Sequence, residues 1–331
     1  MKILHSYILL SLFICLNLSA AKGLPPGELP LKIKAGLYIA DLDSINTADQ
    51  SFEARVFYEL RWKDTRLAHS NNEPIVKKLN EVWSPSIQII NQQKVWNSAP
   101  DQVRITPEGE VIYAKALWGS FSQPLKLKNF PFDSQKFSIK FVAGGGYTPS
   151  EVIFVPDDTG RSGIAKELSV ADWAVTNWEH DLTPFSLVNS SQRASITYSF
   201  SADRLTSYFV VKMILPLIMI VMMSWAVFWM DPLNVASNVS ISITSMLTLI
   251  AYRFSADNSL PRLSYLTSLD YFILASTILV FLSLVQNLTT SSLAKKGNVK
   301  AAYKLDLSCR IGFPVAFFII ALESLIFRSV L

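Results

Sequence analysis

Hydrophobic and polar residues follow different patterns before and after Arg204. Before it, short runs alternate between apolar and polar side chains. In residues 51–63, every second position is apolar and most positions between them are charged, which predicts a strand with one buried face. Similar runs cover residues 32–41, 86–91, 111–121, 136–142, 151–155, 173–178 and 194–201. Many short strands at this spacing favour an immunoglobulin-like antiparallel β-sandwich.

After Arg204, long apolar runs dominate the chain. Each is close to the length of about 20 residues that a helix needs to cross a bilayer. A mean hydropathy of +0.30 with 17% charged residues also fits a membrane protein. The sequence thus predicts a sandwich over 22–204 and a four-helix transmembrane domain over 205–331, with helices at 208–230, 235–256, 266–288 and 307–327.

The N-terminus has the features of a secretory signal peptide. Lys2 precedes an apolar run, 3–18, and the small residues Ser19, Ala20 and Ala21 follow it. We expect residues 1–21 to be removed, although an uncleaved anchor helix is the alternative. A cleaved signal places the sandwich on the extracellular or periplasmic side of the cell (inner) membrane. The basic segment 291–304 then lies inside, which fits the positive-inside tendency better than a nucleic-acid site.

The second span carries more hydroxyl groups than a lipid-facing helix needs. One face of it forms a stripe at steps of four and three residues: Ser240, Thr244, Leu247, Ala251, Phe254 and Asn258. Hydroxyls at one end and apolar groups at the other are expected of a water-lined pore that closes at a hydrophobic constriction. Alternatively, the hydroxyls bond to backbone carbonyls or pack between helices. A pore also requires an oligomer with this helix facing the symmetry axis.

Residue types that would indicate an enzyme or a metal site are not clustered in this sequence. Only two cysteines occur, Cys15 and Cys309, so no disulfide is predicted in the exported domain. No nucleophile elbow, phosphate loop or metal-ligand spacing is present, and no cofactor is expected. Asp270 and Glu323 are isolated acids that we expect to cap helices or meet bundle partners. A membrane-tethered receptor that does not conduct is the main alternative to a channel.

Five short motifs occur in a specific order along the chain. They are Trp62-Lys63-Asp64, Trp83-Ser84-Pro85, Phe130-Pro131-Phe132-Asp133, Ile214-Leu215-Pro216 and Leu260-Pro261. Together they resemble the Cys-loop receptor superfamily, the pentameric ligand-gated ion channels, from about Leu31 to the C-terminus. Gln123 and Phe137 stand where animal members have two cysteines, and the loop between the third and fourth helices is short. Both features are similar to the bacterial branch.

This resemblance implies a homopentamer around a central pore, and residues that couple the two domains. It implies that Phe130, Pro131, Phe132 and Asp133, together with the turn 45–50, press on the linker at Leu260 and Pro261. It also implies that Arg204 pairs with Asp133 just above the membrane. Such a pair transmits movement of the sandwich or serves as a plain structural salt bridge, and the two roles are compatible.

The resemblance further implies a binding site between adjacent sandwiches, for which the residues give tentative candidates. Phe57 is the large apolar residue on the polar face of its strand, although a packing contact between subunits is an equal alternative. Phe185 and Arg193 lie at the ends of the expected capping hairpin. The segment 142–146 has no aromatic residue, and an arginine disfavours a cationic ligand. A small carboxylate agonist and gating by protons therefore stay open.

The sign of the permeant ion depends on the charges at the pore mouths. Cation-selective relatives tend to have a glutamate at the inner mouth, where this chain has Val235-Ala236-Ser237. Asp231 before the helix and Asp257 at its outer end are the nearest acids and would form five-fold rings. Helix N-termini at the inner mouth weakly favour anions. We expect monovalent cations to permeate, mainly because bacterial relatives mostly conduct them.

Overall fold

The structure is a computed structural model that describes residues 23, 25–97, 100–157, 159–186, 192–257 and 263–327. The expected signal peptide, residues 1–21, lies outside the described residues. So do Asn258 at the end of the pore stripe and Leu260 and Pro261 in the linker that follows.

The N-terminal part of the chain forms a mostly antiparallel sandwich. An eight-stranded sheet has the order β10-β1-β2-β7-β6-β3, with β5 paired to β7 and β9 paired to β1. A four-stranded sheet has the order β11-β14-β8-β4, and β12 and β13 form a separate hairpin. The strands are β1 Leu31–Asn46, β2 Ser51–Lys63, β3 Ile75–Lys78, β4 Gln88–Ile89, β5 Gln92–Asn97, β6 Gln102–Ile105, β7 Glu110–Ser122, β8 Ser134–Val142, β9 Val152–Pro156, β10 Gly163–Ile164, β11 Trp173–Asp181, β12 Phe185–Ser186, β13 Gln192–Arg193 and β14 Ser195–Arg204.

Alternating apolar residues from the two sheets meet in a core of aromatic rings. Phe52 of β2 lies 5.3 Å from Phe121 of β7 and 5.3 Å from Phe137 of β8, measured between ring centroids. Phe137 in turn stacks on Phe200 of β14 at 5.2 Å. All four rings are at most 1% exposed. This contact between the sheets is the consequence of the period-two pattern in each strand.

The predicted strand 86–91 is mostly wrong, since only Gln88 and Ile89 are in a strand. Ser86 adopts a positive φ of 48°, and its carbonyl accepts a hydrogen bond from the Gly144 backbone. The chain therefore turns where the pattern indicated a straight segment. The Asn91 amide then donates to backbone carbonyls of β7 and β8, at 3.1 and 2.7 Å, and so joins the two sheets.

Within the described residues, the C-terminal part forms four helices that are long and apolar enough to cross a membrane. Helix α1 (Ser207–Trp229) includes a π-helical segment, Val210–Ile214, that ends two residues before Pro216. This proline has no backbone N–H to donate. Helix α2 is Val235–Asp257, α3 is Ser268–Lys295, and α4 is Val299–Leu322 followed by a π-helical turn, Glu323–Phe327.

Helices α3 and α4 are longer than the predicted spans 266–288 and 307–327. The expectation that all of 291–304 forms the link between these helices is therefore wrong: the link consists of residues 296–298, where Gly297 has a φ of 83°. The placement of this segment inside the cell stays a prediction. Hydropathy identifies the apolar section of a helix, whereas backbone hydrogen bonding continues through polar residues beyond it. The lysines of this segment consequently lie mainly on the ends of α3 and α4.

Candidate functional site

The stripe on α2 lies on an open face of the subunit. Its described members are all exposed, and the exposed fraction reaches 62% for Leu247 and 70% for Phe254. Only 22% of the apolar section of α2 is buried in the subunit, against 44% for α1 and for α3. Helix α2 is also the least apolar of the four. A face of this kind fits water or other subunits better than lipid.

Several hydroxyls of α2 bond to the helix backbone, as the alternative interpretation expected. Thr244 donates to the Ser240 carbonyl and Thr248 to the Thr244 carbonyl, each at 2.8 Å, and Ser245 donates to the Ile241 carbonyl at 2.9 Å. Ser240 and Thr244 are nevertheless exposed on the stripe. A hydroxyl oxygen has two lone pairs, so a group that donates to a carbonyl still accepts from water.

The opposite face of α2 packs against α3. The Asn287 amide donates to the Ser242 hydroxyl at 2.9 Å, and Leu249 is 1% exposed. Ile243 and Ile250 of the same helix are 46% and 41% exposed. Each residue turns the helix by about 100°, so these two lie beside the stripe rather than opposite it.

The two acids proposed as charge rings have different surroundings. Asp257 is exposed and is the last residue of α2, where helix carbonyls also present partial negative charge. The Asp231 carboxylate accepts from the Leu233 backbone N–H at 3.0 Å and from the Tyr303 hydroxyl of α4 at 3.4 Å. The Asp231 carboxylate is thus in contact with α4, although the residue is exposed.

Arg204 and Asp133 form a buried ion pair between β14 and the loop before β8. The guanidinium donates through Nε to Asp133 Oδ1 at 2.8 Å and through Nη2 to Oδ2 at 3.2 Å. The side chains are 3% and 2% exposed. The guanidinium carbon also lies 4.1 Å from the Trp173 ring and 4.9 Å from the Phe130 ring. The expected pairing is present, and aromatic rings that the sequence did not indicate enclose it.

The Phe130-Pro131-Phe132-Asp133 loop contacts the start of α3. Backbone N–H groups of Ser268 and Leu269 donate to the carbonyls of Lys128 and Phe130, at 2.8 and 3.2 Å. The expected partner, the linker with Leu260 and Pro261, lies outside the described residues. Thr267 begins α3 with a capping box: its side chain accepts from the Asp270 N–H, and the Asp270 carboxylate accepts from Thr267. Asp270 is therefore a helix cap, as expected.

Gln123 and Phe137 are the residues that the family resemblance aligns with the two cysteines of animal members. Gln123 Oε1 accepts hydrogen bonds from the backbone N–H and the hydroxyl of Ser138, both at 3.1 Å. Phe137 is fully buried in the sandwich core. Hydrogen bonds and packing thus hold the two ends of this loop.

Phe57 lies in a groove of about 410 Å³ on the open face of the eight-stranded sheet. The register pairs it with Tyr38 of β1 and Ala116 of β7, and its side chain is 52% exposed. Phe185 and Arg193 face each other on the hairpin β12–β13, as expected for its ends. They are on a different element from Phe57, and the described lining of the groove does not include them.

Beside the groove, a buried lysine faces an exposed aspartate. Lys115 Nζ lies 2.7 Å from Asp101 Oδ1, and the two side chains are 4% and 66% exposed. The Tyr113 hydroxyl donates to the same carboxylate at 2.9 Å. Hydrogen bonds from Lys115 and Tyr113 hold the pKa of Asp101 below its usual value, while burial raises the pKa of Tyr113.

The structure combines a sandwich, four membrane-length helices and an exposed helix face that carries hydroxyl groups. This combination is typical of a membrane receptor or channel. Two family models match the chain: the neurotransmitter-gated ion-channel ligand binding domain over residues 21–213, and the neurotransmitter-gated ion-channel transmembrane region over residues 213–300. The chain belongs to the neurotransmitter-gated ion-channel family. Members of this family are pentameric multi-pass membrane proteins with an extracellular domain, and they are ligand-gated channels rather than enzymes.

Two relatives of known class are similar to this chain in sequence. The chain is 28% identical over 267 residues to a gamma-aminobutyric acid receptor subunit beta of Caenorhabditis elegans, and the match covers 77% of this chain and 48% of that subunit. It is 23% identical over 298 residues to a proton-gated ion channel of Gloeobacter violaceus, which covers 88% of this chain and 82% of the relative. The chain thus spans about half the length of the first relative and most of the second. The expected bacterial origin stays a prediction.

Proposed function

We propose that the chain forms a homopentameric ion channel with α2 around the pore, opened by a stimulus that the sandwich senses. The observation that carries this proposal is the exposed stripe on α2. Helix α4 is even less buried than α2, at 6% of its apolar section, but it is more apolar and suits lipid. Helix α2 combines exposure with hydroxyl groups, and a symmetric ring of such faces encloses water.

Leu247 is the proposed position of the gate, with Ala251 and Phe254 above it. Three successive apolar levels on one helix face would form rings in a pentamer that exclude water when they are narrow. Ser240 and Thr244 would keep the inner half of the pore wet. A small rotation or tilt of α2 would then wet the constriction and let ions pass.

The coupling path that we propose runs from the sandwich through the Arg204–Asp133 pair to α3. Arg204 ends β14 directly before α1, while Asp133 belongs to the loop whose backbone bonds to Ser268 and Leu269. A displacement of β14 against β8 therefore acts on α1 and α3 together. The stimulus shifts the closed to open equilibrium only as far as it binds the two states differently.

Monovalent cations are the proposed permeant ions. Asp257 supports this selectivity, because five exposed carboxylates at the helix C-termini would attract cations at the outer mouth. Arg253 lies one turn before Asp257 on α2 and reduces this attraction without removing the terminal ring. Asp231 contributes less to the proposal than Asp257, since its carboxylate faces α4.

The stimulus is either a small molecule or protons. Both modes occur in the names of the two relatives, one a gamma-aminobutyric acid receptor subunit and the other a proton-gated channel. Asp101 is unsuited as a sensor of mild acid, because its pKa lies below the ordinary aspartate value. Phe57 marks the proposed small-molecule site.

Ion efflux from liposomes containing the purified chain tests this function. We compare the wild type with Leu247→Ser and with Ile311→Ser, a control on α4 whose residue is 68% exposed. A polar ring at position 247 is expected to wet the constriction and to raise K⁺ efflux several-fold, while Ile311→Ser behaves as the wild type. Protein-free levels of efflux from all three proteins would contradict a channel and favour a tethered receptor.

A further inference from the structure

A buried carboxylate lies on the helix that is otherwise most open to lipid. Only 6% of the apolar section of α4 is buried in the subunit, and Ala302 and Asp306 are its buried residues over the described range Val299–Leu322. Asp306 is 4% exposed. An ionisable group is costly to bury within a membrane bundle, so its presence indicates specific partners and a functional role.

Two side chains of α3 contact this carboxylate. Gln286 Nε2 donates to Asp306 Oδ1 at 2.7 Å, and the Thr290 hydroxyl donates to the same oxygen at 3.2 Å. Gln286 Nε2 also donates to Thr290 Oγ1 at 2.9 Å, so three side chains from two helices form one closed set of hydrogen bonds. Thr290 is 2% exposed. Removal of one member would leave the others with unpaired polar groups inside the bundle.

The same turn of α3 also holds the helix assigned to the pore. Asn287 follows Gln286 directly, and its amide donates to the Ser242 hydroxyl of α2 at 2.9 Å. Asn287 and Ser242 are 2% and 1% exposed. Adjacent residues of a helix point about 100° apart, so α3 presents one polar side chain to α4 and the next one to α2. Side-chain contacts therefore connect α4 with α2 across α3.

Ser242 lies between two polar members of the stripe along the chain. Ser240 and Thr244 are two residues before and after it, and both are exposed whereas Ser242 is buried. A step of two residues turns a helix by about 200°. Holding Ser242 against α3 therefore directs Ser240 and Thr244 away from the bundle, and the rotation of this part of α2 depends on the Asn287 contact.

Other contacts keep α4 attached when the hydrogen bonds of Asp306 are lost. Arg310 Nε donates to the Phe228 carbonyl of α1 at 2.9 Å. The Phe313 ring lies 4.9 Å from the Phe228 ring, measured between centroids. A substitution at Asp306 is thus expected to change how α3 is held between α4 and α2 without detaching α4 from the subunit.

We propose that Asp306, Gln286, Thr290 and Asn287 form a relay that positions α2 through Ser242. Through this relay, α4 influences the closed to open equilibrium although it does not line the proposed pore. The four are positioning residues, since none of them lies on the stripe. The proposal rests on the proposed function, because it concerns the helix that is assigned to the pore there.

Two neighbouring threonines of α3 provide a matched test in the Leu247→Ser background. Thr290→Val removes the bonds to Asp306 and Gln286, whereas Thr289→Val removes only a bond to the Val285 carbonyl of its own helix. A hydrogen bond between membrane helices typically changes an equilibrium by about threefold. We expect Thr290→Val to change the rate of K⁺ efflux from liposomes about threefold or more, and Thr289→Val to leave it unchanged. Equal rates for the two variants would overturn the proposal.

Substitutions of Asp306 separate a relay from a purely structural contact. Asp306→Asn keeps an oxygen that accepts from Gln286 and Thr290, so it should conduct like the parent, while Asp306→Leu should change efflux as Thr290→Val does. In the double variant with Ser242→Ala, the change should not exceed the larger of the two single changes, because both substitutions interrupt one relay. Single changes that multiply in the double variant would show independent sites and would contradict the relay.

A labelling experiment separates failure of the relay from failure of the channel proposal. In a Cys309→Ala background, the rate at which a charged methanethiosulfonate reagent modifies Thr244→Cys in liposomes reports the position of α2 without any current. If Leu247→Ser gives no efflux but Asp306→Leu changes this rate about threefold or more, the relay stands and the channel proposal is wrong. If Leu247→Ser conducts and Asp306→Leu lowers only the thermal stability, with labelling and efflux unchanged, the relay is wrong and the channel stands.

Discussion

The buried pair of Arg204 and Asp133 gives the prediction with the largest expected effect on stability. Asp133→Leu would leave a guanidinium that is 3% exposed without its carboxylate, and Arg204→Met would leave a carboxylate that is 2% exposed without its guanidinium. Breaking a buried ion pair by removing one partner costs about 3–5 kcal/mol, because the other charge stays buried. We expect each variant to lower the free energy of unfolding by about that amount.

The surroundings of the pair determine how much of this loss can be recovered. Trp173 and Phe130 lie over the guanidinium, so an apolar side chain at position 204 would still pack against both rings. Gln135 Nε2 donates to Asp133 Oδ2 at 2.6 Å and loses this partner in Asp133→Leu. Replacing both members of a buried pair by apolar residues is often neutral. The double variant should therefore recover most of the loss, less about 1–3 kcal/mol for the one Gln135 N–H that loses its acceptor, since the other still donates to the Lys126 carbonyl at 2.9 Å.

Denaturant unfolding of the purified chain in detergent, followed by tryptophan fluorescence, measures these differences. Trp173 is 4% exposed beside the pair and reports on local unfolding. Losses below about 1 kcal/mol for the single variants would be typical of an exposed salt bridge and would refute the reasoning. Losses that simply add in the double variant would also refute it, because they would indicate independent sites.

Three further changes test other parts of the structure. Asp257→Asn is expected to lower the ratio of cation to anion permeability, whereas Asp231→Asn should change it little; reversal potentials in a NaCl gradient measure both. Gly119→Ala is expected to destabilise the sandwich by about 1–3 kcal/mol in denaturant unfolding, since a Cβ would overlap the backbone of β5. Asp101→Asn should reduce the acid sensitivity of unfolding. The pKa of Asp101 is lowered in the folded state. The ionised carboxylate therefore stabilises the fold fully above the ordinary aspartate pKa of about 3.9, and this stabilisation is lost as the pH falls through the lower pKa of the folded state.

Each of these changes has a control or a contradicting result. Gly312→Ala on α4 meets nothing within 4 Å and should be neutral or slightly stabilising, so an equal loss in both glycine variants would contradict the steric argument. A reversal potential that follows chloride in the wild type would contradict cation selectivity. An unchanged pH profile of unfolding in Asp101→Asn would show that the Lys115–Asp101 contact contributes little.

The fold follows from the sequence where the hydrophobic pattern is regular. The run 51–63 alternates except at Phe57 and forms β2 over the same residues. The strands β3 and β5 were missed because their apolar residues are adjacent rather than alternating, and β6 was missed because its four residues include only two apolar ones. The ends of α3 and α4 were missed because bilayer hydropathy does not report on helical backbone outside the apolar section.

The candidate site could be predicted only where a pattern or a motif marks it. The stripe was visible because its residues are regularly spaced, and the Arg204–Asp133 pair because the family resemblance supplied both partners. Trp173 lies 31 residues before Arg204 along the chain, and no local pattern connects it to the ion pair. The start of α3 carried a visible signal, since Thr267 and Asp270 have the spacing of a capping box.

Accessibility of α2 to a water-borne reagent tests the central claim most directly. In a Cys309→Ala background, Thr244→Cys and Ser245→Cys place thiols at neighbouring positions, one exposed on the stripe and the other fully buried against the bundle. A charged methanethiosulfonate reagent applied during current recording is expected to change the current through Thr244→Cys channels and to leave Ser245→Cys channels unaffected. Equal modification of both positions, or modification of Ser245→Cys alone, would contradict the assignment of the stripe to the pore.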